Sequence, residues 1–298
     1  MKILVSGSSG LVGSALVKFL GTAGHEVARL VRTEPARPSE ILWNPEGGSW
    51  GPSRLEGCDA VVHLAGESIA TGRWTAAKKA RIRQSRVRGT SHLSEALARL
   101  ARPPKVLVSA SAIGFYGNRG DETLRESSSP GSGFLPEVCQ AWEKATEPAS
   151  KAGMRVVHLR FGIILSPEGG ALAKMLIPFR WGAGGVIGSG RQWMSWIALE
   201  DVVGAISHVL SAGSLQGPVN VVSSMPVTNQ GFTKTLGKVL SRPTLIPMPA
   251  FAARLVLGEM ADELLLASTR VEPARLLGSG YRFLRPDLEG ALRSLLGK

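Results

Sequence analysis

A glycine-rich stretch lies directly after the first apolar run of the chain. Lys2-Ile-Leu-Val-Ser6 is typical of a short buried strand, and an amphipathic helix begins at about Leu11. Between them the glycines are spaced GxxGxxG, one residue wider at the front than the dinucleotide pattern GxGxxG. Glycines permit a tight turn and let backbone N–H groups approach a phosphate at the positive end of the helix.

The position between strand and helix is the context that a dinucleotide pattern requires. We therefore predict a dinucleotide site here, and a turn that binds nothing is the weaker alternative. The predicted contacts are Gly7, Ser9, Gly10, Leu11, Val12 and Gly13.

The second predicted strand, His25–Val31, is followed by a basic residue. Arg32 stands 19 positions beyond Gly13. An NAD site places Asp or Glu here for the ribose 2′-hydroxyl, whereas an arginine accommodates the 2′-phosphate of NADP. The alternative is a solvated surface arginine, the commonest setting for this residue. The sequence favours NADP as the cofactor.

A parallel sheet would bring these residues together. Apolar runs at Ala60–Leu64, Val106–Ser109 and Arg155–Leu159 alternate with helical stretches over about 75–100 and 135–152. This alternation predicts an α/β fold with a Rossmann-type, doubly wound parallel sheet and a small C-terminal α/β lobe.

The pattern loosens after about residue 165, which suggests two parts. We predict an NADP-binding Rossmann domain over 1–165, to which elements at about 195–225 return. The remainder, 166–298, is predicted to be a smaller lobe on the substrate side that includes a C-terminal domain at 247–298. The lobe should cap the carboxyl edge of the sheet, where open α/β sheets bind ligands.

Composition limits the classes of protein. The chain has 298 residues, of which 44% are hydrophobic and 19% charged, so it can bury a globular core and is not disordered throughout. Its two cysteines, Cys58 and Cys139, argue against a disulfide framework and for a reducing compartment. We find no signal peptide and no unbroken apolar span. The protein is expected to be soluble and cytoplasmic.

Five further segments share one family pattern. They are Asp59–Gly66, Ser85–Thr90, Val108–Gly117, Arg160–Leu165 and Trp196–Asp201. In this order they resemble the extended short-chain dehydrogenase/reductases, the group that contains nucleotide-sugar epimerases. The resemblance implies that Leu64, Ala65 and Gly66 run beside the adenosine and ribose, and that Ile164 passes the nicotinamide.

A narrower match covers nearly the whole chain. It rests on Glu137–Glu143, Pro178-Phe-Arg-x-Gly, the glycines of 184–190 and Gly280-Tyr-Arg-Phe. These resemble an atypical subfamily called epimerase family proteins, or NADP-dependent oxidoreductases, with a C-terminal domain of unknown function. Some members are labelled cell-division inhibitors.

The chain departs from the wider family at its working base, a tyrosine in Tyr-x-x-x-Lys. Neither tyrosine has the lysine, and at the corresponding helix Cys139 and Glu143 stand in place of Tyr and Lys. The standard proton relay is therefore absent. Substitutes are Ser111, which could bond a carbonyl, the phenol of Tyr116 and the carboxylate of Glu143, with packing or surface roles as the alternative for each.

Net charge is +12, and seven cations without an acid lie within Arg73–Arg88. A helix spreads such charges over several faces, so most are expected to be solvated. Arg86 stands at the family's cofactor-facing asparagine and Arg81 one turn earlier, so both are candidates for cofactor contact. No nucleic-acid motif is present, and the histidines lack metal-ligand spacing. We expect an unknown small-molecule substrate, with no metal, nucleic acid or membrane as partner; the oligomeric state is open.

Four aromatic residues surround the glycine-rich segment 182–190. They are Phe179, Trp181, Trp193 and Trp196. They could line a substrate pocket between the lobes, or equally cover the loop and fix the small lobe.

The sequence thus leads to an NADP(H)-binding, epimerase-like oxidoreductase that lacks Tyr-x-x-x-Lys. The alternative is a non-catalytic NADP-binding sensor or partner-binding protein with a link to cell division. The intact cofactor pattern favours the enzyme, and the missing relay favours the alternative.

Because the Tyr/Lys pair is absent, we expect no appreciable oxidation or epimerisation of UDP-glucose or UDP-galactose. Steady-state assays with both sugars measure this, and robust turnover at ordinary enzyme concentrations would contradict it. On any substrate that is turned over, Glu143→Gln and Tyr116→Phe separate the two candidate bases. A rate unchanged in both variants removes both residues from the mechanism.

Overall fold

The computed structural model describes residues 1–46 and 55–298, and its strands are short. In chain order they are β1 (Lys2–Ser6), β2 (Glu26–Val31), β3 (Glu40–Leu42), β4 (Ala60–His63), β5 (Val106–Ala112), β6 (Thr123–Leu124), β7 (Arg155–Phe161), β8 (Ile163–Ser166), β9 (Trp193–Met194), β10 (Trp196–Ala198), β11 (Gly217–Val221), β12 (Val227–Thr228) and β13 (Arg270–Val271).

The helices alternate with these strands in the first half of the chain and dominate the last third. They are α1 (Leu11–Thr22), α2 (Ala76–Ala98), α3 (Phe134–Lys144), α4 (Glu147–Lys151), α5 (Gly170–Arg180), α6 (Leu199–Ser211), α7 (Asn229–Leu240), α8 (Ala250–Leu257), α9 (Ala274–Gly278) and α10 (Leu288–Leu296). A 3₁₀ turn covers Ile113–Tyr116 and a π-helical turn covers Ala261–Leu266. Among the described residues, no helix has both the length and the apolar character needed to cross a bilayer.

Seven strands form one parallel sheet in the order β11-β7-β5-β4-β1-β2-β3. The strand order reverses between β1 and β4, so their carboxyl ends border the crevice where such sheets bind ligands. The fold class predicted from the sequence, a Rossmann-type doubly wound α/β sheet, is confirmed.

Both faces of the sheet are covered, which explains why its strands read as continuous apolar runs. On β1, Ile3 and Val5 belong to the core that includes Leu16 and Leu20 of α1. Leu4 points to the opposite face and shares a core with Leu93 of α2. This alternation follows from the two-residue period of a strand.

Two predicted helices have different bounds in the structure. The helix expected over 135–152 is two helices, α3 and α4, and Pro148 stands in the first turn of α4, a position that proline favours. The sequence after Pro249 also predicts an apolar helix through about Leu266, but this helix ends at Leu257, because Gly258 has φ of +63° and closes it. The chain then continues into the π-helical turn.

A second, smaller core lies beside the sheet. It packs α5, α7 and α10 around the buried Trp196, and Phe232 and Leu292 contribute from α7 and α10. Short pairs frame it, with β8 parallel to β10 and β9 antiparallel to β12. This core joins the middle of the chain to its C-terminal segment.

A buried carboxylate attaches the end of the chain to α6. Asp201 is fully buried, and its Oδ1 accepts hydrogen bonds from the backbone N–H of Leu284 at 2.7 Å and the Tyr281 hydroxyl at 3.1 Å. Its Oδ2 accepts the backbone N–H of Arg285 at 2.9 Å. A charge removed from water needs such partners, so this contact fixes the tail in place.

We expect Asp201→Ala to lower the free energy of unfolding by about 3 kcal/mol or more, because three donors lose a charged acceptor. Urea denaturation measures the loss. The matched control is Glu200→Ala, which removes the adjacent exposed carboxylate and should cost less than about 1 kcal/mol. Equal losses in both variants would show that the buried bonds of Asp201 contribute nothing special.

Candidate functional site

The glycines of the β1–α1 turn are required by close backbone contacts. Gly7 has φ of +67°, and a Cβ built on it would lie 2.7 Å from the carbonyl carbon of Leu64. A Cβ on Gly13 would lie 2.1 Å from the carbonyl oxygen of Gly7. Since neither position has room for a side chain, the turn packs tightly against both α1 and the end of β4.

The start of α1 is open to an anion. Gly10 is its N-cap residue, no side chain caps it, and its first turn holds no acidic residue. The first N–H groups of a helix need acceptors, and together with the helix dipole they attract negative charge. The residues present therefore fit a dinucleotide pyrophosphate.

The other predicted cofactor contacts converge on this turn. Leu64, Ala65 and Gly66 follow β4, and the backbone of the first two meets Gly7. Leu11 lies 3.4 Å from the Cβ position of Gly169, which follows the strand that carries Ile164. Ser9 and Gly10 are exposed, while Val12 packs against the core under the sheet. All of these residues surround the carboxyl edge near β1.

Two arginines lie near the end of β2. Nε of Arg29 donates to Ser8 Oγ at 3.1 Å, and its Nη1 lies 3.8 Å from Glu40 Oε1. Arg32 is exposed directly after β2 and makes no hydrogen bond or ion pair with the rest of the described chain. Of these two arginines, Arg32 is the one whose whole guanidinium is available for an anion.

The two arginines predicted on α2 have different surroundings. Arg86 donates from Nη1 to the carbonyl of Glu67 at 2.9 Å, and its guanidinium lies 4.9 Å from the Trp142 ring. Its burial lowers the pKa of the guanidinium. Arg81 is exposed. Arg86 thus holds the turn that follows Gly66, whereas Arg81 faces solvent.

A buried histidine lies beneath the turn. Nδ1 of His63 is 2.6 Å from Ser6 Oγ, which also accepts the backbone N–H of Leu64. Nε2 of His63 is 3.0 Å from Thr90 Oγ1, and the indole N–H of Trp142 donates to the same oxygen. Burial lowers the pKa of His63 to about 4, so the ring is neutral near pH 7.

The three predicted catalytic candidates share one hydrogen-bonded network centred on Arg160. Ser111 of β5 and Arg160 of β7 are register partners in the sheet. The Ser111 hydroxyl donates to Glu143 Oε1 at 2.7 Å. Arg160 donates to both oxygens of Glu143, from Nε and Nη2, each at 2.8 Å. Both partners of this ion pair are largely removed from solvent.

Tyr116 completes the network and is fully buried. Its oxygen accepts from Arg160 Nη1 at 2.9 Å, and its hydroxyl donates to Asn220 Oδ1 at 2.7 Å. The backbone N–H of Asn220 in turn donates to Glu126 at 3.1 Å. Burial raises the pKa of Tyr116 above its ordinary value although Arg160 opposes the shift. The phenol is therefore a neutral, internally bonded group.

The position of the family's tyrosine holds an inert thiol. Cys139 lies one turn before Glu143, is buried, and has its pKa raised by burial and then by Glu143 to about 12. A thiol with that pKa carries almost no thiolate near pH 7. Neither a nucleophile nor a proton relay is available at this position.

A cleft of about 270 Å³ opens next to the network. One wall follows β5 at Gly114 and Asn118, and the other is the C-terminal segment, with Arg254 and Glu263. Glu263 accepts the first backbone N–H groups of α3, and burial raises the pKa of its carboxyl. The cleft is polar and is bounded by a positive side chain, Arg254, and a carboxyl group, Glu263, so its lining suits a small polar molecule.

The four aromatic residues around 182–190 lie apart from the lining of this cleft. Phe179 and Trp196 are buried in the second core. Trp193 donates its indole N–H to Asp121 at 2.8 Å, and Trp181 is 86% exposed. Two of them thus pack in the second core, and none of the four lines this cleft.

Sequence reasoning missed the residues that connect the network. Arg160 had a visible signal, since it is a charge within an apolar strand and such a charge needs a buried partner. Asn220, Glu126 and Glu263 gave no comparable signal. In the part of the chain that the structure describes, no three His, Cys, Asp or Glu side chains are grouped so as to hold a metal ion.

Fold and site together define a protein of the Rossmann class whose β1–α1 turn fits a dinucleotide pyrophosphate. A family model described as the NAD dependent epimerase/dehydratase family matches residues 3–222, and a domain of unknown function (DUF1731) matches residues 248–295. The chain therefore belongs to the NAD-dependent epimerase/dehydratase family, within the extended short-chain dehydrogenase/reductases. The resemblance found in the sequence is confirmed.

Similar proteins cover the full length of the chain. An epimerase family protein of Mycobacterium bovis is 46% identical over 290 residues, which are 97% of this chain and 96% of that protein. The crystal structure of human epimerase family protein SDR39U1 (isoform 2) with NADPH has a TM-score of 0.92 at 34% identity and covers all of both chains. A nucleoside-diphosphate sugar epimerase from Corynebacterium glutamicum has a TM-score of 0.83 at 39% identity, with all of this chain matching 58% of that one.

The histidine beneath the turn should make stability depend on pH. The pKa of His63 is about 4 in the folded protein and 6.5 when exposed, so the unfolded chain binds a proton first as the pH falls. Its contribution is complete above pH 6.5 and is lost towards pH 4, which amounts to about 3 kcal/mol of unfolding free energy.

Denaturation at a series of pH values measures this loss. His63→Gln should have a flatter pH dependence over the same range, whereas the control His25→Gln, at a partly exposed position, should follow the parent protein. If both variants keep the slope of the parent protein, other groups cause its acid sensitivity.

Proposed function

We propose that this chain is an NADP(H)-dependent oxidoreductase of the epimerase type that acts on a small molecule in the cleft beside Gly114. The carrying observation is Arg32, exposed and unpartnered in the described chain, beside an uncapped helix start at Gly10. The pyrophosphate would lie at the start of α1 and the 2′-phosphate at Arg32. The NADPH of the human relative's structure supports this choice.

Leu64, Ala65 and Gly66 would border the adenosine side, and Ile164 the nicotinamide side. The cofactor, when bound, supplies hydride transfer, while the protein supplies binding and orientation. We assign Arg86 to supporting the Gly66 turn from within, since its Nη1 already donates to the backbone carbonyls of Glu67 and Ile82. We keep Arg81 as a cofactor contact, because its side chain is exposed and free to reach a ligand.

The polar network would position the reacting groups and not move a proton. Both carboxylate oxygens of Glu143 already accept hydrogen bonds from Arg160, so the carboxylate is occupied within the network. Tyr116 is fully buried and cannot touch a substrate in the cleft. Ser111, held by Glu143, is also buried and lies three residues before Gly114 of the cleft wall. The reaction would then take its proton from substrate or solvent.

The cysteines favour a reducing compartment. Cys58 and Cys139 are both free and buried. Proteins of oxidising compartments commonly use cysteines in disulfides. We therefore propose the cytoplasm as the location.

Cofactor choice is the sharpest test of the proposal. A charge-assisted bond contributes roughly 1.5–3 kcal/mol, so we expect NADP(H) to bind at least about tenfold more tightly than NAD(H). Arg32→Ala should weaken NADP binding by a similar factor and leave NAD binding nearly unchanged, because only NADP carries the phosphate. Calorimetry with both cofactors measures the constants.

Arg37→Ala is the matched control. Arg37 is exposed on the same loop after β2, and its substitution removes the same charge as that of Arg32. It should change NADP affinity little at ordinary salt, since screening weakens distant surface charges. Equal cofactor affinities in the parent protein, or equal losses in the two variants, would reduce Arg32 to a general surface charge.

A further inference from the structure

One surface of the protein exposes an unusual number of large apolar side chains. We call it the apolar face, and it consists of Ile177, Trp181, Leu245, Ile246, Met248, Phe251, Leu255 and Val256. Trp181 is 86% exposed, Leu245 83% and Phe251 72%. A soluble monomer seldom groups such residues, so the face is a candidate for contact with a partner.

The residues of the face come from three segments that lie side by side. Ile177 and Trp181 are one helical turn apart at the end of α5. The following loop pairs with the segment before α8, since the backbone N–H of Met248 donates to the carbonyl of Val186 at 2.8 Å and that of Gly188 to Met248 at 2.9 Å. α8 then begins at Ala250. The face is continuous along this pairing.

Helix α8 turns its apolar residues outward. Its sequence is AFAARLVL, of which Ala253 is buried while Phe251, Leu255 and Val256 are exposed. An ordinary surface helix places its apolar side against the core and its polar side in water. α8 therefore presents to solvent a surface suited to an apolar environment.

The charged residues around the apolar face indicate what kind of surface it contacts. The stretches that build the face, 169–199 and 241–258, contain five lysines and arginines and no aspartate or glutamate. Arg180 and Arg242 are exposed on it and form no ion pair within the described residues. Of the acids that follow in sequence, Glu259 pairs with Lys79 and Asp262 with Arg254. The rim of the face is positive.

We propose that the apolar face docks on the surface of an anionic phospholipid bilayer. Tryptophan, phenylalanine and leucine enter the boundary between headgroups and acyl chains, while neighbouring arginines bind the lipid phosphates. The net charge of +12 supports the same orientation. The contact is peripheral, so it needs no spanning helix and leaves no unbroken apolar run in the sequence. It departs from the expectation, drawn from the sequence, that a membrane is not a partner.

A second copy of the chain fits the face less well. In a two-fold interface the same surface lies on both partners, so Arg180 and Arg242 would face a surface that is itself positively charged. Because the two stretches carry no acid, nothing on the face would neutralise them, and like charges across an interface are costly.

Flotation of the full-length protein with lipid vesicles tests the proposal. We expect binding to phosphatidylcholine vesicles that contain phosphatidylglycerol to be at least about tenfold tighter than to pure phosphatidylcholine, because each arginine near an anionic surface contributes about fivefold. High salt should weaken the binding. Emission from the parent protein should shift to shorter wavelength on binding, and Trp181→Phe should lose that shift.

Two pairs of variants separate the apolar and charged contributions. Trp181→Ser with Phe251→Ser should lower binding by at least about tenfold, since the variant lacks two side chains that enter the bilayer when the protein binds. The control, Leu277→Ser with Leu284→Ser, changes exposed apolar residues elsewhere and should bind normally. Arg180→Glu with Arg242→Glu should abolish the lipid preference, whereas Arg99→Glu with Arg102→Glu, an equal change of charge away from the face, should largely keep it.

The outcomes are exclusive. Absence of vesicle binding at low salt, or equal binding by the Trp181/Phe251 variant and the parent, would overturn the proposal. Light scattering that shows a dimer for the parent protein and a monomer for this variant would also overturn the proposal and assign the face to a second copy. Thermal unfolding and NADP affinity, measured on every variant, should match those of the parent because only exposed residues are changed. If the parent protein does not bind NADP at all, that result counts against the proposed function and leaves the docking proposal untouched.

Discussion

The ion pair between Glu143 and Arg160 is the interaction on which the interior of the site depends. Arg160 lies on a central strand, where a charge without a partner would cost several kcal/mol. Glu143 reaches it from α3 with both oxygens, and Ser111 and Tyr116 satisfy what remains. Because each group is largely removed from solvent and bonded to the next, none can move alone. The network is thus a rigid floor beneath the cleft.

The same pair accounts for the difference between this chain and relatives with a Tyr/Lys relay. A lysine at the position of Glu143 would meet Arg160 with a like charge, whereas the carboxylate neutralises it. The cofactor cradle is independent of this exchange, since it is made of glycine backbone and a helix start. Family membership and a missing relay are therefore compatible in one molecule.

The C-terminal segment completes the site from outside the sheet. Glu263 caps the start of α3, the backbone of Glu272 accepts from Asn220, and Arg275 donates its N–H to Glu126. Its tail is fixed to Asp201. The inner side of the segment thus satisfies buried polar groups, while α8, on its outer side, is apolar. A segment used in this way can link the cleft to whatever the outer surface contacts.

The sequence by itself determined the features that are local. The β1–turn–α1 unit, the basic residue after β2 and the missing Tyr/Lys pair are readable because each depends on residues near one another in the chain. Tertiary structure decided the rest. Tyr116 bonds Asn220 across 104 positions, and Arg160 meets Glu143 only because a strand and a helix pack together. An apolar face built from separated segments likewise has no contiguous pattern. Burial, which forces charges and donors to find partners, acts in space and not along the chain.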